Sequence, residues 1–482
     1  MFERKVDPIW VLKGCIIILI GVFLFNFVFS SFSSSRAYAA GGAQASGVES
    51  PSFAHPDIRI PGSTPDQKID IKSFIINIAK TTGIYAFISD MTPGVTPAGQ
   101  PITVFGWHEL IMVLVGFLVV YLGAAKGFEP LLLVPIGFGI IFVNIPFANM
   151  GSPGVWNEQI HMFEHQGFLN VIYNAGVGNE FFPLVIFIGI GAMTDFGPLI
   201  ANPKTALLGA AAQLGVFGTF FFITLSNFIP GVNFNIKEAC AVSIIGGADG
   251  PTTIYIAAKL APHLLATVAV AAYSYMAMVP LIQPPVIRLL TTKNERRINM
   301  LSHDKDVPKS LKIAFPIVVT FISGVVAPIS VPLIGSLMFG NLIRECGVVE
   351  RLSLAAQNEL ASVVTILLGI TIGSSMRAAQ FLTPATIMIL VLGLVAFIFD
   401  TAGGVLFAKF LNLFRREKIN PMIGAAGISA FPMSARVIQK MATKEDPYCF
   451  VIMHSVSANV SGQLGSVIAG GIVLALVPIL VG

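Results

Sequence analysis

The sequence predicts an all-α, polytopic membrane protein in which two inverted repeats bring glycine-broken transmembrane helices together near the bilayer midplane. Three observations support this fold class. Of the 482 residues, 55% are hydrophobic and only 11% are charged, with a mean hydropathy of +0.81, whereas a soluble domain carries about 25% charged residues. Apolar runs of the ~20 residues that a spanning helix needs recur along the chain. Two further apolar segments are interrupted by glycine and proline, at corresponding positions of two related halves.

The N-terminal segment, residues 1–33, contains the apolar run Gly14 to Phe32 and predicts a membrane anchor. Three basic residues precede this run, and because positive charge marks the cytoplasmic side, we place the N-terminus in the cytoplasm. A cleaved signal is the alternative, since Ala37-Tyr38-Ala39 matches the small-residue cleavage pattern. The apolar run is longer than the 7 to 15 residues of an ordinary signal core, which favours the anchor.

Residues 34–105 are then expected on the outer side of the membrane. The stretch Ser33 to Thr64 is rich in Ser, Gly, Ala and Pro, a composition typical of a flexible linker. Asp70 to Asp90 predicts a short amphipathic helix on the membrane surface, because Lys72 and Lys80 interrupt its apolar face.

The remaining chain divides into a first membrane repeat (106–290), a basic cytoplasmic loop (291–312) and a second membrane repeat (313–482). Apolar runs cover 107–124, 128–145, 181–200, 205–228, 264–290, 313–342, 360–373 and 385–410. With the N-terminal run, the two glycine-interrupted segments near 239–260 and 421–438 and a last run over 449–481, they predict ten to twelve crossings or half-crossings.

An internal duplication supports the division into repeats. Three motifs recur in the same order: Pro135 to Asn144 with Pro332 to Asn341, Ile190 to Met193 with Ile372 to Met376, and Ile245 to Gly250 with Ile423 to Gly427. Ordered recurrence indicates two related halves, and paired glycine-broken segments in corresponding positions indicate the binding site of a transporter.

Asp249 is the most informative residue of the chain, because it lies among Gly246, Gly247, Gly250 and Pro251 inside an apolar segment. A charged Asp at the centre of a spanning helix costs about 2.5–3.5 kcal/mol and by default suggests ion or proton handling. Interrupted backbone survives in a membrane only where its freed polar groups line a cavity or are buried in protein.

The corresponding segment of the second half is Asn420 to Pro432. If the repeats are inverted, the two breaks meet, and carboxylate, amide, hydroxyl and carbonyl oxygens converge, which suits a small hard cation. The alternative is that the glycines serve only close helix packing. Packing does not require a carboxylate, so Asp249 argues against this alternative.

Other polar residues carry weaker signals. Arg436 closes the second broken segment, where a guanidinium could hold a carboxylate by two hydrogen bonds or simply anchor the helix end. Asp195 follows an apolar run and precedes Gly197-Pro198, as a residue that ends a helix would. Four scattered cysteines form no C-x-x-C pair and predict buried apolar side chains.

One short motif suggests an unrelated class of protein. His161 to His165 matches H-x-x-E-H, a zinc-peptidase pattern, but no third ligand and no soluble catalytic domain accompany it. We interpret it as part of a connection between two spans. The sequence contains no phosphate-binding loop, no nucleophile elbow and no nucleic-acid-binding face.

Five longer motifs resemble the beta subunit of the sodium-translocating, biotin-dependent decarboxylases, a family that includes the oxaloacetate, methylmalonyl-CoA and glutaconyl-CoA decarboxylase sodium pumps. They are GFEPLLLVPIGFG (Gly127 to Gly139), GAMTDFGPLIANP (Gly191 to Pro203), IIGGADGPTTIY (Ile244 to Tyr255), AAYSYMAMVPLIQPP (Ala271 to Pro285) and NPMIGAAGISAFPMSARV (Asn420 to Val437). The resemblance covers about Trp107 to Gly482 and does not extend to the N-terminal hundred residues.

The resemblance implies a bacterial inner-membrane enzyme that decarboxylates carboxybiotin and exports Na⁺ while a proton is consumed. It implies that Asp249 binds Na⁺ and exchanges it for a proton, with Asn420 and Asn459 as further Na⁺ ligands. The path would include Gly424 and Ser429, Tyr275 would be a proton donor, and Arg436 would contact the carboxybiotin carboxylate.

The resemblance also implies partner chains. No Met-Lys-Met biotinylation motif is present, so carboxybiotin would come from a biotin carrier subunit. A carboxyltransferase alpha subunit, a small gamma-type membrane subunit and further beta subunits complete the expected assembly.

Two other functions compete with the pump. A sodium/proton exchanger or sodium-coupled carboxylate transporter would also use two inverted halves and a midplane Asp, and only the motif resemblance separates it from the pump. A membrane metallopeptidase is the more distant alternative.

Overall fold

The computed structural model describes residues 78, 82–88, 92–95, 101–104, 106–127, 130–157, 162–164, 166–228, 232–300, 307–381 and 383–481. The predicted anchor and the predicted linker up to Thr64 lie outside these residues. Contacts divide the chain into two units, residues 1–85 and residues 86–482, and both membrane repeats of the sequence analysis fall within the second unit.

The chain before the first long helix forms one helix and one hairpin in its described part. Helix α1 (Gly83–Ile88) lies within the region predicted as an amphipathic helix. Strands β1 (Thr92–Val95) and β2 (Pro101–Val104) pair antiparallel, with Thr92 opposite Val104. This hairpin is an addition to the helical fold that the sequence predicts.

The first half of the membrane region begins with α2 (Gly106–Ala124) and α3 (Pro130–Val143). A second hairpin, β3 (Val155–Asn157) with β4 (Met162–Glu164), leads to α4 (Phe168–Ile172), whose last turn continues as a π-helical turn over Tyr173–Val177. The helices that follow are α5 (Phe181–Met193), α6 (Gly197–Ala201), α7 (Ala206–Ala212), α8 (Leu214–Ser226), α9 (Ile236–Ser243), α10 (Gly250–Leu260), α11 (Leu265–Ala277) and α12 (Val279–Leu290).

The second half likewise contains both long and short helices. Its elements are α13 (Lys293–Arg296), α14 (Lys309–Val326), α15 (Val331–Cys346), α16 (Glu350–Ala355), α17 (Ala361–Ser374), α18 (Ala378–Phe381), α19 (Pro384–Phe414), α20 (Met422–Ala425), α21 (Met433–Glu445) and α22 (Ile452–Val481). A π-helical turn over Ala356–Leu360 joins α16 to α17.

Six described helical segments are long and apolar enough to cross a membrane, or up to eight if each of two bent pairs counts as one span. The bent pairs are Phe168–Val177 with Phe181–Met193, at 60°, and Pro262–Ala277 with Val279–Leu290, at 66°. The predicted helical, multi-pass class is therefore confirmed. The sequence predicted ten to twelve crossings or half-crossings, which is more than the number of long helices. The predicted number also included the N-terminal run, which lies outside the described residues, and short segments that cross only half of the membrane.

Local sequence explains several helix boundaries. Asn235 and Glu238 form a capping box at the start of α9, and Thr292 and Glu295 form another at α13, which satisfies backbone amides that have no partner within the helix. Helix α15 ends at Gly347, whose φ of 71° is the left-handed conformation that favours glycine at this position.

Many helices of the two halves pack on each other, and two of these crossings correspond in position. Helix α3 of the first half packs on α17 of the second, and α15 of the second half packs on α5 of the first. At the end of each crossing a buried asparagine joins the halves. The Asn144 side chain donates to the Met376 carbonyl at 2.8 Å, and the Asn341 side chain donates to the Thr194 carbonyl at 2.8 Å.

The largest cluster of buried apolar side chains collects residues from α5, α9, α10, α11, α17 and α19. Large apolar side chains are exposed on outer helices instead, for example Phe321 and Val325 of α14 and Phe117 of α2. An apolar outer surface is what a lipid environment requires. Of the three described cysteines, Cys240 and Cys449 are buried and Cys346 is half-buried, and all three are free thiols.

The described part of the basic loop is held against the second half. Arg296 lies 2.9 Å from the Glu445 carboxylate and donates to the Thr291 carbonyl at 2.6 Å. Glu295 pairs with Lys409 at 3.1 Å. Burial would raise the pKa of the Glu295 carboxyl, but donors from Thr292 and Lys409 outweigh it and lower that pKa below its ordinary value.

Candidate functional site

Asp249 lies where the first broken helix changes direction. Helix α9 ends at Ser243, a 3₁₀ turn covers Ile244–Gly247, and Ala248 adopts a left-handed φ of 52° before α10 begins at Gly250. Asp249 is the N-cap of α10, a position where a side-chain oxygen accepts free backbone amides.

The Asp249 carboxylate is 3% exposed and accepts three hydrogen bonds. The Thr252 hydroxyl donates at 2.6 Å, the Thr252 amide at 3.3 Å, and the Ser466 hydroxyl of α22 at 2.7 Å. No ion pair joins Asp249 to a basic side chain among the described residues. A buried carboxylate with donors but no cationic side chain is suited to bind a cation or a proton.

The two broken segments touch beside Asp249. The Ser429 amide, between α20 and α21, donates to the Gly247 carbonyl at 3.1 Å. The Ser429 hydroxyl donates to the Gly462 carbonyl of α22 at 3.0 Å. Ser429 therefore ties the second segment both to the first segment and to the helix that carries Ser466.

One face of α22 carries a row of polar side chains that leads to Asp249. Ser455, Asn459, Gln463 and Ser466 are spaced by four, four and three residues, so they lie above one another on the helix. Asn459 donates to the Ile428 carbonyl at 2.6 Å, which attaches this row to the second broken segment.

Several buried oxygens in this region accept no hydrogen bond from the described residues. They are Ser455 Oγ, Asn459 Oδ1 and Gln463 Oε1 on α22, and Gln213 Oε1 between α7 and α8, which lies against Gly247. Buried polar atoms normally have partners. Hydroxyl and amide oxygens without protein donors are suitable ligands for a hard cation such as Na⁺.

Tyr275 is buried near the first broken segment but is not bonded to Asp249. Its hydroxyl donates to the Leu390 carbonyl of α19, and its ring packs with Ile245 around Gly393. Tyr273, two residues earlier, lies directly against Gly250. Tyr273 thus contacts the residue that follows Asp249, whereas the Tyr275 side chain contacts α19.

Arg436 and Asn420 lie apart from Asp249. Arg436 is exposed on α21, and its guanidinium forms no hydrogen bond or ion pair with another described residue. The buried Asn420 amide group donates to the Arg296 and Ile298 carbonyls at 3.0 and 3.1 Å, and its oxygen accepts the Met422 amide at 3.1 Å. Asn420 therefore holds the start of the second broken segment to the basic loop.

Gly424 positions the second broken segment against α19. Its backbone lies so close to Gly404 that a Cβ on either glycine would collide with the carbonyl of the other. Ser429 is thus bonded to the turn that carries Asp249, and Asn459 is bonded to the residue before Ser429, whereas Asn420, Tyr275 and Arg436 make no hydrogen bond to Asp249.

Four residues of this region escaped the sequence analysis: Gln213, Asp400, Gln463 and Ser466. Asp400 is a second buried carboxylate, in the middle of α19. A charged residue within an apolar run was signal enough to identify it. The spacing of Gln463 and Ser466 from Asn459 was a weaker signal, because it has meaning only if that face of α22 points inward.

The zinc-peptidase pattern gains no support. Its central residues Met162–Glu164 form a strand, and His161 and His165 lie outside the described residues. Within the described ranges no group of three or more His, Cys, Asp and Glu side chains could hold a metal ion.

Asp195 follows α5, and its carboxylate accepts the Gly197 amide at 2.8 Å at the start of α6.

Comparison with known proteins covers the whole of this site. Residues 108–477 match the family model described as Na⁺-transporting oxaloacetate decarboxylase beta subunit. All five motifs of the sequence analysis fall within this range, so the resemblance that they indicated is confirmed. The match begins after the predicted anchor and linker.

Relatives named for three different decarboxylases are similar to the chain. The glutaconyl-CoA decarboxylase subunit beta of Acidaminococcus fermentans is 49% identical over 393 residues, 81% of this chain and 99% of the relative. The methylmalonyl-CoA decarboxylase subunit beta of Propionigenium modestum is 49% identical over 380 residues, 76% of this chain and 94% of the relative.

The oxaloacetate decarboxylase beta chain of Klebsiella pneumoniae is 46% identical over 412 residues, 77% of this chain and 95% of the relative. These similarities favour a membrane subunit of a sodium-pumping decarboxylase over an ordinary exchanger or carboxylate transporter. By the extent of the family match and the identity to its relatives, the chain belongs to the family of Na⁺-transporting oxaloacetate decarboxylase beta subunits.

Proposed function

We propose that this chain decarboxylates carboxybiotin delivered by a partner subunit and uses the free energy to export Na⁺, with Asp249 as the ion-binding group. The observation that carries the proposal is the Asp249 carboxylate, buried where the Ser429 amide meets the Gly247 carbonyl. Family membership supports the reaction, and the burial of Asp249 beside the contact between the two broken segments supports its assignment as the ion-binding group.

The chemical step breaks the bond between the carboxyl carbon and the ureido nitrogen of carboxybiotin. Its electron pair stays on nitrogen, which takes up a proton, and CO₂ leaves. Moving one charge against 100 mV costs about 2.3 kcal/mol, so a release of a few kcal/mol suffices to export an ion against a typical membrane potential.

We assign the Na⁺ ligands at the centre of the site to Asp249, Ser429 and Asn459. The Asn459 oxygen is buried and accepts no hydrogen bond from a described residue, which leaves it available to a cation. Gly424 contributes to the path through its backbone. Asn420 would join the path only after its amide leaves the Arg296 and Ile298 carbonyls, so we expect it to act in a second conformation.

Tyr275 and Arg436 take the roles of proton donor and carboxylate contact in this proposal. The exposed position of Arg436 on α21 leaves its guanidinium accessible to a carboxybiotin group that approaches from a partner chain. Tyr275 would have to exchange its bond to the Leu390 carbonyl for one to the substrate.

Release of Na⁺ on the opposite side requires two states with different affinity. A proton that neutralises Asp249 removes the charge that holds the cation, so Na⁺ and a proton alternate on this carboxyl group. The Ser429 to Gly247 contact is the natural element to change between the states, because it joins the two broken segments directly.

Two inverted repeats, residues 106–290 and 313–482, would account for this meeting of broken helices. Two equivalent hydrogen bonds support the repeat. Asn144 and Asn341 end the two copies of the duplicated Pro-to-Asn motif. Each bonds the other half, at Met376 and Thr194, which lie four residues after the Ile of the Ile-Gly pair in the second duplicated motif. A second pair of equivalent contacts supports the repeat. The Asn227 side chain bonds the backbone N–H and C=O of Phe234, and the Asn412 side chain bonds the backbone N–H and C=O of Ile419, with all four distances at 2.8 Å.

We expect the complex to contain a carboxyltransferase alpha subunit, a biotin carrier subunit, a small gamma-type subunit and further copies of this chain in the bacterial inner membrane, with the N-terminus in the cytoplasm. The acyl substrate would be selected by the partner. Relatives named for oxaloacetate, methylmalonyl-CoA and glutaconyl-CoA decarboxylases match this chain with similar identities of 46–49%. Because the identity does not depend on the substrate in the relative's name, we infer that this subunit does not select the substrate.

The test is sodium uptake by inverted membrane vesicles that contain the whole complex and receive its acyl substrate. Avidin sequesters biotin, so it should abolish the uptake. Sodium movement that continues in avidin, driven by a proton gradient alone, would instead identify a secondary exchanger. A chelator of divalent metals is the control for the peptidase alternative and should leave decarboxylation intact.

A further inference from the structure

Asp400 is a second carboxyl group within the membrane region, and the proposed function gives it no task. It lies in the middle of α19 and is fully buried. Its Oδ1 accepts the Gly215 amide at 3.2 Å, and its Oδ2 has no hydrogen-bond partner among the described residues. Asp249, by comparison, accepts three hydrogen bonds.

The position of Asp400 links it to both broken segments. Gly393, Asp400 and Gly404 are spaced by seven and four residues, so they share one face of α19. Gly393 faces Ile245 of the first broken segment, and Gly404 lies against Gly424 of the second. At 1.5 Å per residue, Asp400 lies about 10 Å along the helix from the first contact and about 6 Å from the second.

Gly215 connects Asp400 to the Asp249 turn. The Gly215 backbone lies between Asp400 on one side and Gly246 on the other, close enough that side chains at either glycine would collide with the neighbour. A movement of the first broken segment relative to α19 must therefore change the surroundings of the Asp400 carboxyl group.

Among the described residues, no basic side chain pairs with Asp400. Helices α7, α8, α11 and α20, which pack on α19, contain no Lys, Arg or His. The basic residues of α9 and α12 that also adjoin it, Lys237 and Arg288, are exposed. A fully buried carboxylate with one donor and no cation is very costly, and such groups become neutral by binding a proton.

Thr401 does not complete a cation site with Asp400. Its hydroxyl is also buried without a described partner, but neighbouring residues of a helix point in different directions. Too few oxygen ligands therefore surround Asp400 Oδ2 to bind Na⁺. We infer that this oxygen binds a proton instead.

We propose that Asp400 is a second proton-binding site of the pump, which holds a proton while the two broken segments are in contact and exchanges it with water when they separate. This rests on the proposed function. The exchange breaks the O–H bond of the carboxyl group, the proton passes to water, and the carboxylate takes up another proton before the contacts close again.

The test uses the complete complex in proteoliposomes with Asp400→Asn and Thr401→Val. An amide mimics a neutral carboxyl group in size and hydrogen bonding but cannot exchange a proton. We expect Asp400→Asn to lose turnover by about 10²-fold, the lower end for loss of a positioned proton-transfer group. Thr401→Val, the adjacent control, should pump like the wild type.

A second measurement separates Asp400 from Asp249. Dicyclohexylcarbodiimide modifies protonated carboxyl groups in apolar surroundings, and peptide mass spectrometry identifies the site. We expect Na⁺ to protect Asp249 in the wild type and in Asp400→Asn at the same concentration, while Asp400 is modified in the wild type whether or not Na⁺ is present. If Asp400→Asn does not fold, labelling of the wild type still distinguishes a protonated Asp400 from a carboxylate that binds Na⁺.

The outcomes that overturn the proposal are distinct. Full turnover of Asp400→Asn would show a permanently neutral, structural acid. Protection of Asp400 by Na⁺, or a weaker protection of Asp249 in Asp400→Asn, would make Asp400 part of the cation site. No labelling of Asp400 at any Na⁺ concentration would exclude an exchangeable proton there. Failure of Na⁺ to protect Asp249 in the wild type would count against the proposed function, whatever Asp400 does.

Discussion

At the scale of single residues, the proposed chemistry rests on Asp249 and the side chains bonded to it. A carboxylate that accepts two hydroxyl donors and one amide is partly compensated without a salt bridge, so the remaining negative charge is available to a small cation. Removing the charge and removing one donor should therefore have different effects.

Asp249→Asn should abolish Na⁺-dependent decarboxylation while the complex still inserts and assembles. The amide keeps the size of the side chain but cannot carry the charge that holds Na⁺. The measurement is CO₂ release against Na⁺ concentration, with assembly checked by co-purification of the partner subunits. Full activity would remove Asp249 from the mechanism.

Ser466→Ala should weaken Na⁺ activation but not abolish it. The Ser466 hydroxyl donates to Asp249 at 2.7 Å, and a hydrogen bond to a charged group contributes about 1.5–3 kcal/mol. We expect the Na⁺ concentration for half-maximal decarboxylation to rise by about tenfold or more, since 1.4 kcal/mol corresponds to a factor of ten.

The matched control for this change is Ser461→Ala on the same helix. Its hydroxyl donates to the Ala206 carbonyl instead of to Asp249. If both alanine variants shift the Na⁺ dependence equally, the effect reflects the packing of α22 and not a contact with the Asp249 carboxylate.

At the scale of elements, the contact between α19 and α20 positions the second broken segment. Two glycines, Gly404 and Gly424, let these backbones approach without side chains between them. This close approach of α19 and α20 fixes the position of the second broken segment, in which the Ser429 amide bonds the Gly247 carbonyl.

Gly424→Ala should destabilise the protein, because the new Cβ meets the Gly404 carbonyl and backbone must move. Overpacking of this kind costs about 1–3 kcal/mol. Thermal unfolding in detergent measures it. Gly218→Ala on α8 is the control, since nothing lies within 4 Å of its added Cβ, and its unfolding temperature should equal or slightly exceed that of the wild type.

At the scale of the whole molecule, several helix contacts join the halves, among them α3 with α17 and α5 with α15. Asn144 and Asn341 lie at equivalent ends of these crossings and donate across them. Both halves belong to one compact unit, residues 86–482.

Asn144→Ala and Asn341→Ala should each lower the free energy of unfolding by about 1–3 kcal/mol, because each leaves buried carbonyls without a donor. The effects should add in the double variant, since the two sites share no partner. Chemical denaturation in detergent tests this. The exposed Asn358, whose side chain donates to the nearby Leu354 carbonyl, provides the control variant. An equal loss of unfolding free energy in Asn358→Ala would contradict a special role of Asn144 and Asn341 in joining the halves.

The sequence by itself determined the membrane class, because this class depends on composition. From residues close together in the chain it also predicted two related halves and a functional role for Asp249. A carboxylate among glycines in an apolar run is costly wherever the chain folds. The motif resemblance likewise needed only local sequence, and the family match confirmed it.

Only the tertiary structure decided which distant side chains meet Asp249. It brought Ser466, more than two hundred residues away, to the carboxylate and placed Ser429 at the neighbouring turn, whereas Asn420 went to the basic loop and Tyr275 to α19. Helix spacing shows which residues share a face, but which face points inward depends on how helices of both halves pack. That packing, through glycine contacts such as Gly404 with Gly424, is a property of the folded molecule.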